Sequence, residues 1–198
     1  MMTTPLRFAV VGLGHIGKRH AEMIRRQPDC ELIAGCDIRS KEQCGVADDF
    51  EFYGDIKEML AQHPEVDVVC ICTPNGLHAA HSIQALRAGC HVLCEKPMAL
   101  TSSDCKEMIN TTETCGKHLF VVKQNRFNTP VVAVKKLLDE NKLGKVFSIQ
   151  LSCFWHRDAQ YYKNAWKGTK TLDGGVLFTQ FSHFIDLLYW MIGDVKKV

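Results

Sequence analysis

The chain has 198 residues, more than one small domain needs and fewer than two full ones. Apolar residues make up 46% and charged residues 23%, the balance of an ordinary globular fold with a sizeable core. A net charge of +2 points to neither a nucleic-acid partner nor a membrane surface, and no apolar run is long enough to cross a bilayer. Arg7–Val11 is a short apolar run rich in β-branched and aromatic residues and reads as a buried parallel strand. Gly12, Gly14 and Gly17 follow as G-x-G-x-x-G, and a helix-like stretch runs from His15 to Arg26. At this spacing Gly12 allows the tight turn, Gly14 lets backbone approach a pyrophosphate, and Gly17 lets helix pack close to strand. The free N–H groups at the helix start then face the phosphates.

The next strand, Cys30–Asp37, ends on a carboxylate. Asp37 at that place can accept hydrogen bonds from both hydroxyls of an adenine ribose and repel a 2′-phosphate, which favours NAD over NADP. Arg39 and Lys41 lie close by and could instead receive a phosphate, so NADP stays open. Lys41–Ala47 and Asp55–Ala61 read as short helices, the second with Asp55 as its N-cap. Val66–Cys72 is a buried strand that ends at Thr73-Pro74-Asn75-Gly76 and leads into a helix over Leu77–Ala88. Leu77, Ala80, Ile83 and Leu86 share its apolar stripe, and Gly89 ends it. His91–Cys94 is a strand followed by Glu95-Lys96-Pro97; Thr101–Cys115 is an amphipathic helix with Cys105, Met108, Ile109 and Thr112 inward; Leu119–Val122 is a further strand.

Strands alternate with helices through this part, which predicts an α/β fold with a doubly wound parallel sheet over residues 1–125. Ligands bind such sheets outside the carboxyl ends of the strands. Gly12–Gly17, Asp37, Thr73–Asn75, Glu95–Pro97 and Gln124–Arg126 each follow a strand and are expected on one rim.

Beyond about Asn125 the character changes, and residues 126–198 read as a second domain of α+β type. Val131–Asp139 is helical, Lys145–Trp155 alternates as a strand with two different faces, and Phe154 to Trp166 gathers aromatic residues on a loop. Asp173-Gly174-Gly175 precedes a last helix, Val176–Met191. Phe178, Phe181, Ile185 and Leu188 form one face of it; Thr179, His183 and Asp186, with Gln180 and Ser182 more loosely, form another. Uncharged polar groups among aromatics suggest a semi-buried face that must find hydrogen-bond partners. The ten cysteines include no C-x-x-C pair, and Cys36, Cys70 and Cys72 fall in apolar strands. They read as free thiols in a reducing compartment, with no metal site. The opening MMTTPLRFAVV lacks a signal-peptide layout, so the chain is expected in the cytoplasm.

On GLGHIG at 12–17, TPNGLHAAH at 73–81, CEKP at 94–97 and SHFIDLLYW at 182–190, the chain resembles the Gfo/Idh/MocA oxidoreductases over its whole length. LDGGVLFTQFSHFID resembles one branch more closely, the UDP-N-acetyl-glucosaminuronic acid 3-dehydrogenases of bacterial polysaccharide synthesis. The resemblance implies Lys96 as catalytic lysine, His183 as its partner by the substrate, and a cis Pro97 that aims Lys96 at the nicotinamide. It implies Gly12, Gly14, His15, Ile16, Gly17, Asp37, Arg39, Thr73, Pro74, Asn75, His78, Glu95, Lys96 and Gln124 around the cofactor. Lys123, Asn125, Arg126, Trp166, Asp173, Thr179, Gln180 and His183 are implied around a nucleotide sugar. Many members carry aspartate where Thr179 stands, which weakens a Lys–Asp–His relay and leaves Lys96 and His183.

Oxidation of a secondary alcohol needs a base for the hydroxyl proton while hydride leaves for the cofactor. A lysine amine is a poor base at neutral pH, but a cationic nicotinamide beside it disfavours the ammonium form. His183 needs no such help and is the rival base. Asp194–Val198 reads as the start of a strand cut off, and the family's remaining sheet is its usual oligomer surface, so a homo-oligomer is left open. Two kinds of function stay open as well: a dehydrogenase acting on a sugar or inositol, and an NAD-binding module without turnover.

Overall fold

The computed structural model describes residues 4–197, which divide into two compact units between Val122 and Lys123. In the first unit strands and helices alternate: β1 (Leu6–Val11), α1 (His15–Arg25), β2 (Cys30–Cys36), α2 (Lys41–Cys44), β3 (Glu51–Tyr53), α3 (Ile56–Gln62), β4 (Val68–Ile71), α4 (His78–Arg87), β5 (His91–Cys94), α5 (Ser102–Cys115) and β6 (Leu119–Val121). The strands form one sheet in the order β3-β2-β1-β4-β5-β6, parallel at every pairing. This is the doubly wound arrangement, and its order reverses between β1 and β4, where such sheets open a crevice.

Both faces of the sheet are covered, and the two-residue period of a strand sorts its side chains between them. Ala9 and Val11 of β1 join Val69 and Ile71 of β4 in one core with Ile83, Leu86, Val92 and Met108. Val10 and Cys70 point the other way, into a core with Leu13, Ala21, Ile24, Leu32 and Phe50. Cys70 and Cys72 are thus small buried hydrophobes, and all ten cysteines are free thiols. Burial first, and nearby carboxylates second, hold the Cys36, Cys70 and Cys94 thiols protonated, their pKa values pushed up to about 12.

Helix ends follow local chemistry. Ser40 caps α2 in a capping box with Gln43, and Gly45 closes that helix in the left-handed region. Asp55 accepts from the Lys57 and Glu58 N–H groups at the start of α3, and Thr101 accepts from Asp104 at the start of α5. Two buried stripes differ from expectation. A 3₁₀ turn at Asn75–Leu77 precedes α4 and resets its phase, so His78, Ser82, Ile83, Ala85 and Leu86 face inward while Ala80 is exposed. On α5 the inward residues are Met108 and Thr111, and Ile109 is 48% exposed. Strand β3 has only three residues and an acidic-aromatic pattern too short to register as alternation.

The second unit opens with a 3₁₀ turn at Gln124–Phe127 and continues with α6 (Thr129–Asp139), α7 (Ala159–Tyr162), α8 (Val176–Thr179) and α9 (Ser182–Ile192). The expected strand over Lys145–Trp155 is not formed among the described residues. A strand exists only in a ladder, and alternation of side chains supplies faces but no neighbouring backbone. The single helix expected over Val176–Met191 is two helices. The Phe181 N–H bonds the Val176 carbonyl at 2.9 Å, a widened turn that ends α8 before α9 begins. Among the described residues no helix is long and apolar enough to cross a membrane, and no cluster of three His, Cys, Asp or Glu is placed to hold a metal ion.

Candidate active site

The exits of β1, β2, β4 and β5 carry four of the five segments expected on the rim; the fifth, Gln124–Arg126, belongs to the second unit. The glycine turn after β1 shows why its residues are glycines. Gly12 has φ +89°, and a Cβ there would stand 2.7 Å from the Cys72 main chain. A Cβ on Gly17 would stand 1.8 Å from the Gly12 carbonyl oxygen, so helix and strand could not approach. A Cβ on Gly14 would meet nothing within 4 Å. The protein's own packing therefore does not require glycine there, and the open space lies over the start of α1. Gly14 is the N-cap, no side chain caps the helix, and its first turn holds no acid. The uncapped N–H groups and the space above them fit a dinucleotide pyrophosphate. His15 is exposed at this turn, while Ile16 packs partly into the core.

Asp37 is buried and already engaged. Its Oδ2 accepts from the Leu13 N–H at 2.7 Å and from Arg39 Nη2 at 2.9 Å; Oδ1 accepts from the Arg39 N–H at 3.0 Å and Nε at 2.9 Å. These bonds fill all of the roughly four acceptor directions of a carboxylate. The Asp37 carboxylate thus ties the glycine turn to the β2 exit and holds Arg39, so a ribose hydroxyl would bond it by displacing the Arg39 side chain. Burial raises the Asp37 pKa, but the Arg39 and Leu13 hydrogen bonds outweigh it and hold the carboxyl below its ordinary value.

The turn after β5 is held from two sides. Glu95 is buried, with Oε1 2.9 Å from His20 Nε2 and Oε2 accepting from the Lys96 N–H at 3.2 Å. Burial alone would raise its pKa, yet the His20 hydrogen bond and charge hold it below the usual range. Glu95 thus supports the turn from within, where the resemblance implied a cofactor contact. His20 lies in mid-helix on α1, 75 residues earlier, and nothing in its own neighbourhood marked it. The Lys96–Pro97 peptide bond is cis.

His78, expected beside the cofactor, is 1% exposed. Its Nδ1 lies 2.7 Å from the Pro97 carbonyl oxygen and its Nε2 2.9 Å from that of Thr73. Burial lowers its pKa, and the two carbonyls and the Glu95 charge oppose that shift. The Thr73 hydroxyl lies 3.2 Å from His81 Nδ1, Pro74 is partly exposed, and Asn75 is buried.

In the second unit Arg126 presents both arms of its guanidinium to Asp186, Nε at 2.8 Å and Nη2 at 2.6 Å, and lies over the Trp190 ring. Lys123 Nζ stands 3.7 Å from the same carboxylate. These two cations, expected on a substrate anion, fasten the start of the second unit to α9 through Asp186, while Gln124 is exposed and Asn125 half-buried. The polar face of the last helices is the buried one: Asp173, Thr179 and His183 are 5–8% exposed, whereas Ile185 is 49% exposed. Thr179 donates to Asp173 Oδ1 at 2.8 Å, so a carboxylate stands against Thr179 from six residues upstream. Gln180 donates to the Tyr161 hydroxyl at 3.1 Å. Three of the aromatic rings expected to stack on a sugar or base carry cations: Arg157 lies 4.2 Å over Trp155 and 4.9 Å over Tyr161, and Lys167 lies 3.6 Å over Tyr161 and 5.9 Å over Trp166.

Residues 6–123 match the family described as "Oxidoreductase family, NAD-binding Rossmann fold", and residues 131–198 match the "GFO/IDH/MocA C-terminal domain". The 1-carboxy-3-chloro-3,4-dihydroxycyclohexa-1,5-diene dehydrogenase of Comamonas testosteroni is 35% identical over 92% of this chain and 46% of its own. The D-glucoside 3-dehydrogenase of Escherichia coli K12 is 36% identical over 74% of this chain and 43% of its own. Among solved structures, the WlbA dehydrogenase from Bordetella pertussis in complex with NADH and UDP-GlcNAcA superposes with a TM-score of 0.93 at 35% identity, covering 98% of this chain and 57% of that one. The chain spans about half the length of the curated relatives it matches.

Proposed function

Because the chain belongs to the Gfo/Idh/MocA oxidoreductase family, whose N-terminal domain is an NAD-binding Rossmann fold, we propose that it serves hydride transfer from a sugar secondary alcohol to NAD. The proposed substrate is a UDP-linked N-acetyl sugar acid oxidised at its C3 hydroxyl, in the cytoplasm, for surface-polysaccharide synthesis. A likeness to a structure holding NADH and UDP-GlcNAcA supports that choice. The observation that carries the reading is the β5 exit, where Lys96 sits on a turn held by Glu95 with His20 on one side and by the Pro97–His78 contact on the other.

NAD, when bound, supplies the hydride acceptor. The α1 N-terminus and Gly14 would receive its pyrophosphate, and Asp37 its ribose once Arg39 moves aside. The Lys96 amine takes the proton from the alcohol, and the fixed turn keeps that amine from wandering. His183, in the second unit, is the other proposed proton acceptor. Asp173, Thr179 and Gln180 offer hydrogen bonds suited to sugar hydroxyls.

The test adds NAD with UDP-N-acetyl-glucosaminuronic acid, or with myo-inositol, and follows the near-ultraviolet absorbance of the reduced cofactor. Turnover is expected with the sugar acid, and Lys96→Ala is expected to lower it by about 100-fold or more. A rate unchanged in Lys96→Ala overturns the assignment. NAD binding with no reduced cofactor from any substrate supports a cofactor-binding module without turnover.

A further inference from the structure

His78 lies at the first position of α4, buried beneath two rim segments that belong to different strand exits. The β4–β5 ladder reaches the Ile71–Cys94 pair, and the Glu95 N–H bonds the Ile71 carbonyl at 2.9 Å just beyond it. Past that point Thr73 and Pro97 have left the ladder. The His78 ring reaches both: Nδ1 to the Pro97 carbonyl at 2.7 Å, Nε2 to the Thr73 carbonyl at 2.9 Å. Only the first contact joins separate segments, because Thr73 lies five residues before His78 in the same stretch of chain. Both partners are acceptors only. The Pro97 contact is therefore a bond when Nδ1 carries hydrogen, as in the Nδ1–H tautomer or the imidazolium, and is lost in the Nε2–H tautomer. An apolar side chain of similar size would fill the volume and leave a buried carbonyl without its donor.

We propose that His78 is a positioning residue: by donating from Nδ1 to the Pro97 carbonyl it fixes the turn that carries Lys96 to the exit of β4. The proposal rests on the reading of Lys96 as the base for its functional meaning, but the tie itself does not depend on turnover. Its loss would remove one of the ties on the turn that carries Lys96 and widen the range of positions the amine samples.

The experiment uses the whole chain and needs no substrate. In the unsubstituted protein, long-range proton–nitrogen correlation of the imidazoles, with the His78 signals identified by their loss in His78→Gln, is expected to show Nδ1 protonated and slow to exchange. A bare Nδ1 overturns the proposal. Hydrogen exchange then compares three variants. His78→Asn places an amide N–H near the Nδ1 position, His78→Gln near the Nε2 position, and His78→Phe keeps volume with no donor. Exchange in the Glu95–Ala99 segment is expected to rise about tenfold or more in His78→Phe and His78→Gln, to stay near the unsubstituted value in His78→Asn, and to leave β1 and β2 unchanged. A residue that only fills space gives the reverse order, with Gln and Phe tolerated better than the smaller Asn, and that order overturns the proposal. In the same variants, the rate at which Lys96 is acylated is followed against pH, with and without NAD. Its midpoint and its protection by NAD are expected to change in His78→Phe and be restored in His78→Asn. If NAD fails to protect Lys96 even in the unsubstituted chain, the role given to Lys96 falls, while the tie stands or falls on the imidazole spectrum and the exchange order.

Discussion

Gly14 and Gly17 stand three residues apart and answer to different forces. Gly17 is required by the chain's own packing, since a Cβ would lie 1.8 Å from the Gly12 carbonyl oxygen. Gly14 is not, since its Cβ would enter open space. Gly17→Ala is therefore expected to destabilise the fold by about 3 kcal/mol or more, as overpacking against rigid backbone does. Gly14→Val is expected to leave stability within about 1 kcal/mol and to weaken NAD binding about tenfold or more, because the added side chain stands where backbone must approach the pyrophosphate. Urea unfolding and NAD titration on both variants separate the two roles. Asp37 and Arg39 divide in the same way. Asp37→Ala removes the acceptor of the buried Leu13 N–H and should cost about 1–3 kcal/mol. Arg39→Ala removes a side chain 46% exposed and should cost about 0–1 kcal/mol, measured by the same unfolding curves.

At the scale of an element, periodicity placed α1, α4 and α5 but misjudged the rotation of α4 and α5, merged α8 with α9 and took the stretch that holds α7 for a loop. Helix α5 turns Met108 fully inward and leaves Ile109 half in solvent, although the two are adjacent and both apolar. Met108→Ala is expected to cost about 2–5 kcal/mol, and Ile109→Lys to stay within about 0.5 kcal/mol, in thermal or urea melts. A reversed order would mean that α5 is rotated from the position described. Inward-facing threonines are tolerated on this helix because Thr111 and Thr112 return their hydroxyls to the Glu107 and Met108 carbonyls at 2.8 and 2.7 Å. Alternation likewise marked Lys145–Trp155 as two-faced, yet main-chain pairing decides whether such a stretch becomes a strand.

For the molecule as a whole, stability should be bounded on both sides of neutral pH by groups in the first unit. Asp37 and Glu95 have lowered pKa values in the folded protein, so the unfolded chain takes up protons first as pH falls. Their contribution is complete above the ordinary carboxylate range and is lost below about pH 4. Cys36, Cys70 and Cys94 are pushed up to about 12 and Cys90 to about 11, so above the ordinary thiol value the unfolded chain releases protons that the folded one keeps. Their contribution is complete below that value and is lost as pH rises beyond about 9. Unfolding midpoints measured across pH should form a plateau between these limits. A midpoint that keeps rising above pH 9 would contradict the burial of these thiols.

The α/β class, the strand order's parallel sense, the glycine turn and the acid after β2 were legible in the amino-acid order, because each is a short-range pattern of period, chirality and side-chain size. So was the turn carrying Lys96, since residues that follow strands in such a sheet must emerge on one rim. What only the folded chain decided were the partners of the polar groups. Arg39 closes on Asp37, His20 reaches Glu95 across 75 residues, Arg126 turns to Asp186, and His78 sits under Pro97. A hydrogen bond is a relation of distance and direction between groups far apart in the chain, and no local pattern carries that information until the sheet and its helices have brought them together.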